Sequence, residues 1–152
     1  MKAARILSII GLIVGIILGL ISLYTFFAYN SAVGSDYRAE MKSIERMDLD
    51  ERNNLGGNDL EEFNKFQTDE KTMNKLMILS IISIFLTIIA GVLGFRGPNK
   101  KPINIEPKYL SLILLICGIV LLILQFGMNF IHAILYIIAA VLYFIHYIKN
   151  KQ

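Results

Sequence analysis

The chain has 152 residues and a formal net charge of +3; 55% of it is hydrophobic, 18% is charged, and the mean hydropathy is +0.59. A water-soluble domain of this length carries about 25% charge spread along the chain. Here the charges sit in blocks, so the small positive excess is no nucleic-acid signal, and a soluble globular domain is excluded.

Three stretches carry no Asp, Glu, Lys or Arg: Ile6 to Ser35, Leu76 to Phe95, and Tyr109 to Ile148. A bilayer core about 30 Å thick needs about 20 apolar residues at a rise of about 1.5 Å each. The first two stretches each fit one crossing. The third is twice that length and divides at the turn-forming Gly127-Met128-Asn129. The reading is an all-α polytopic membrane protein, a four-transmembrane-helix bundle. It is one membrane domain over 1–152, with spans at about 6–29, 75–95, 109–126 and 129–148.

The first span begins with Met1-Lys2-Ala3-Ala4-Arg5, which imitates a secretory leader. The apolar run that follows exceeds the usual h-region of about 7–15 residues, and Ala28-Tyr29-Asn30 is a poor cleavage site, so an uncleaved helix is expected. Gly11, Gly15 and Gly19 recur every four residues, and Ser8 and Ser22 extend their stripe. Small residues let a neighbouring backbone approach, which is how helices associate where lipid supplies no hydrophobic drive. A seam within the bundle is the expected use, with a homo-oligomer contact as the alternative.

Next comes a loop over 30–74, in which eleven acids stand against six bases. Asp36 can cap a helix carrying Tyr37, Met41 and Ile44 on one stripe and ending near Asn53 to Gly57. A second helix can start at Asn58 or Asp59, place Leu60, Phe63 and Phe66 on one side, and run straight into the second span. A hairpin this short buries too little to stand alone. Tyr37, Met41, Ile44, Phe63 and Phe66 are therefore its expected contacts with a partner, the bundle or the membrane surface.

The second span repeats the small-residue device with Ser80, Ser83, Thr87, Ala90 and Gly94. A linker over 96–108 holds all three prolines, Pro98, Pro102 and Pro107, and reads as extended with no helix. In the third span Ser111, Gly118 and Gln125 recur every seven residues, and the lone Cys117 reads as a small packing residue. The fourth span gathers His132, Tyr136, Ala139, Tyr143 and His146 on one face. The two histidines are fourteen residues apart, about 21 Å along a helix, too far to share a metal ion. Packed or interfacial histidines are expected.

The basic residues set the orientation. Lys2, Arg5, Arg96, Lys100, Lys101, Lys108, Lys149 and Lys151 flank the spans against the single acid Glu106. Short basic segments remain in the cytoplasm, so both termini are expected inside and the 30–74 loop outside.

No carboxylate lies in any span, which disfavours ion-coupled transport. No catalytic constellation, phosphate loop, metal-ligand spacing or cofactor motif is present, so no enzyme and no cofactor are expected. The glycine-striped first span, the single large loop, three closely spaced spans, and Ile134-Leu135-Tyr136-Ile137-Ile138-Ala139-Ala140 before a basic tail resemble small, uncharacterised four-helix membrane proteins of Gram-positive bacteria. That resemblance implies a bacterial cytoplasmic membrane and supplies no functional residue. The expected function is non-catalytic: an accessory, regulatory or immunity-type subunit that contacts membrane lipid and a membrane or extracellular protein. A small oligomeric channel or transporter, with a polar track on the fourth span, is the first alternative. An envelope-stress or assembly factor is the second.

Overall fold

A computed structural model describes residues 2–98, 105–124 and 131–150. The chain is all-α, with six helices among the described residues: α1 (Lys2–Ala32), α2 (Ser35–Glu45), α3 (Leu49–Asn53), α4 (Gly57–Arg96), α5 (Pro107–Leu124) and α6 (Ile131–Lys149). Four of them, α1, α4, α5 and α6, are long and apolar enough to cross a membrane. The turn expected at Gly127-Met128-Asn129, along with Gln125 and Pro102, lies outside the described residues.

Contacts divide the chain into two compact units. The first comprises 1–21 and 79–152, and the second comprises 22–78. The chain passes between them inside α1 and inside α4, because neither helix contains a breaker at that point. As expected, α4 runs unbroken from the charged loop into the second apolar stretch.

In the first unit, α1 and α4 lie antiparallel. Ser8 faces Gly94, Leu12 faces Gly91, Gly15 faces Thr87 and Gly19 faces Ile84. Each step of about one turn along α1 is matched by one turn back along α4. α5 and α6 also pair antiparallel: Ser111 Oγ donates to the Ala140 carbonyl at 2.8 Å, and Gly118 packs on Ala133 and Ile137. Leu110, Leu114, Leu121, Ala133, Tyr136, Ala139 and Tyr143 fill the interior. The remaining faces expose Ile, Leu, Val and Phe, as a lipid-facing surface would.

Three expectations about helix ends need correction. Asp36 is not the cap of α2; Gly34, at φ 64°, takes that position and Asp36 sits in the first turn, where a carboxylate favours the helix dipole. The helix also stops at Glu45, and the separate turn α3 follows. In the 96–108 linker, Pro107 opens α5 rather than standing outside a helix. The first helical position needs no N–H, and the fixed proline φ suits it.

In the second unit, Met41, Ile44, Phe63 and Phe66 are buried against one another, with Val33, Met47 and Leu55 packed around them. Arg52 donates to the Glu45 carbonyl at 2.6 Å and lies over the Phe63 ring at 5.2 Å, joining α2, α3 and α4. Arg38 donates to Asn30 Oδ1 at 2.7 Å and pairs with Glu70 at 3.9 Å.

Candidate functional site

The polar residues of the apolar helices converge on one seam inside the first unit. On α1 the buried stripe is Ala4, Ser8, Gly11, Gly15 and Gly19. Ser22, expected to extend it, belongs to the second unit and is half-buried. On α4 the matching residues Ser83, Thr87, Ala90 and Gly94 are all buried. The seam is tight. A Cβ on Gly15 would fall 2.6 Å from Thr87 Cγ2 and 2.9 Å from His132 Cδ2, while one on Gly11 would meet the Tyr136 ring at 3.2 Å. The glycine spacing thus makes room for side chains of both α4 and α6.

The α6 face falls where its periodicity places it. His132, Tyr136, Ala139, Ala140 and Tyr143 are buried, with His132 fully enclosed. His132 is packed inside the unit. His146 is half-buried, and its ring is 2.8 Å from Asn150 Nδ2. Both tyrosine hydroxyls bond to the backbone of another helix. Tyr136 donates to the Thr87 carbonyl at 2.9 Å, and Tyr143 donates to the Gly94 carbonyl at 2.6 Å. Both bonds tie α6 to α4, and their seven-residue spacing on each helix makes these two helices parallel. Ser83 Oγ and Thr87 Oγ1 are buried with no hydrogen-bond partner among the described residues.

Three participants escaped the sequence reading. Gly91 packs on Leu12, and its clue was its position one turn beyond Thr87. The Leu110, Leu114 and Leu121 row is buried, and its clue was that it shares the helix face of Ser111 and Gly118. Arg5 counted only as a flanking charge. It packs its guanidinium on Gly97, where a Cβ would stand 2.7 Å from Nε, and it faces the Tyr143 hydroxyl.

The five expected loop contacts are brought together, but on each other. Met41, Ile44, Phe63 and Phe66 are 7% exposed or less, so the apolar face expected to meet a partner, the bundle or the membrane surface packs within the unit. Tyr37 is 38% exposed and meets Phe66 edge to face at 5.8 Å. Outward this unit presents the exposed rings of Tyr24 and Phe27 on α1 and, on the 30–74 loop, charge around Leu49, which is 74% exposed between Asp48 and Asp50. Among the described residues no group of His, Cys, Asp and Glu is placed to hold a metal ion. No family model, no curated protein and no solved structure matches the chain.

Proposed function

We propose that this chain is a non-catalytic integral membrane protein that acts by binding another protein, as an accessory, regulatory or immunity-type subunit of a bacterial membrane complex. In this reading it sits in the cytoplasmic membrane with both termini inside and residues 30–74 outside, as its basic flanks favour. The observation that carries the reading is how the polar groups are used. In the first unit Tyr136, Tyr143 and Ser111 bond to backbone of neighbouring helices. That leaves the charged surface of the second unit, built on its own small core, as the part with chemistry to offer. The contact surface is accordingly the outer side of α2 and α3 with Leu49 as its apolar anchor, rather than the buried Met41–Phe66 cluster.

The test is a photo-crosslinking amino acid at Leu49 in the native membrane, followed by mass spectrometry of the adduct. One dominant protein, lost when Leu49 is replaced by Lys in an affinity purification, supports the reading and names the complex. Absence of any adduct at Leu49 and of any stoichiometric partner in the purification removes it.

A further inference from the structure

The second unit contains a cavity of about 310 Å³ that the partner reading does not use. Three elements build it: Tyr29 from the end of α1, Tyr37 from α2, and Glu62, Lys65, Phe66 and Asp69 from α4. The α4 residues fall at spacings of three, four and seven, so one helical face offers acid, base, ring and acid in order. Tyr37 and Phe66 stand edge to face, with 79° between their planes. Glu62, Lys65 and Asp69 form no ion pair with one another or with other described residues; the ion pair nearby joins Arg38 to Glu70. The cavity therefore has aromatic walls, and two carboxylates and one ammonium that are not locked in ion pairs.

That set matches a zwitterion. A substituted ammonium is held by ring faces and carboxylates together, and a phosphate is held by a lysine. The position specifies the source. Tyr24 and Phe27 on α1 are 74% and 62% exposed, and they precede Tyr29 of the cavity by five and two residues on the same helix. Aromatic residues at the end of a span mark headgroup level. We propose that this cavity binds the headgroup of an amine-bearing zwitterionic phospholipid. The ammonium lies at one carboxylate end of the face, Asp69 or Glu62, against the rings, and the phosphate lies at Lys65.

The test uses the full chain in nanodiscs made with equal parts phosphatidylethanolamine and phosphatidylglycerol, with retained lipid counted by native mass spectrometry. Preferential retention of phosphatidylethanolamine by about 5-fold is expected, the equivalent of one cation–π contact. It should disappear in Glu62→Gln/Asp69→Asn, with helicity by circular dichroism unchanged. N-acylated phosphatidylethanolamine, which has lost its ammonium charge, should also lose the preference on the unaltered protein, so the test does not depend on a variant that folds. Equal retention of the two lipids overturns the proposal, as does undiminished preference for the N-acylated lipid. Displacement of the bound lipid by millimolar soluble phosphoethanolamine would overturn the lipid assignment in favour of a soluble ligand.

Discussion

Tyr143 supplies Gly94 with the hydrogen bond that Pro98 cannot. In a continuing helix the Gly94 carbonyl would accept from the N–H of residue 98, and proline has none. Gly97, at φ 70°, ends α4 and donates to the Leu93 carbonyl at 3.1 Å, leaving Gly94 oxygen to the Tyr143 hydroxyl at 2.6 Å. Arg5 closes the same corner by packing on Gly97. Three helices thus meet where one of them runs out of internal donors.

Tyr143→Phe is therefore expected to destabilise the bundle by about 1–2 kcal/mol, because it leaves a buried carbonyl without a partner. Tyr136→Phe should cost less, about 0.5 kcal/mol, since the Thr87 carbonyl lies mid-helix and keeps its intrahelical donor. Unfolding in mixed detergent micelles, followed by circular dichroism, measures both. Equal costs for the two variants would rule out the special role of Pro98.

The glycine stripe is not uniform. Gly15→Ala places a methyl against the short, branched Thr87 and the enclosed His132, neither of which can withdraw. A loss of about 1–3 kcal/mol is expected, as for overpacking elsewhere. Gly11→Ala meets the Tyr136 ring at 3.2 Å and needs only a slight shift, which the gain of about 1 kcal/mol in helix propensity offsets. The same micelle unfolding should separate them, and a Gly11→Ala variant weaker than Gly15→Ala would refute the packing described.

Phe63→Ala removes the most enclosed side chain of the second unit, at 2% exposure. Truncating a core phenylalanine costs about 3–5 kcal/mol, more than a cluster of this size is expected to supply. Limited proteolysis should then cut within residues 35–57 while the apolar helices stay protected, and hydrogen exchange should rise in α2 and α3. Unchanged protection there would mean the cluster is not what orders the loop.

Orientation is open to a direct measurement. With Cys117 buried in α5, an Asp50→Cys variant should be the reactive thiol toward a membrane-impermeant maleimide added to intact cells. Labelling at 50, and none for Asn150→Cys until the membrane is opened, is the expected pattern. The reverse pattern would place the loop in the cytoplasm.

Chain order, span number and the faces of the helices were legible in the residues. Charge-free length reports the cost of burying charge in lipid, and the glycines of α1 and the His–Tyr face of α6 report close packing through their helical spacing. On α5 only Ser111 and Gly118 mark the inward face, so the buried leucines beside them were legible through those two small residues and not through their own pattern. Nor could sequence tell a face made for a partner from one made for itself: Met41, Ile44, Phe63 and Phe66 have the same periodicity in either case, and only their convergence on each other decided it. The assignment of Tyr143 to Gly94 was likewise tertiary, since a missing donor at Pro98 is local while the hydroxyl that replaces it lies 49 positions along the chain from Gly94. Local propensity and hydrophobic period are properties of a segment; partner choice between segments depends on where close packing lets them meet.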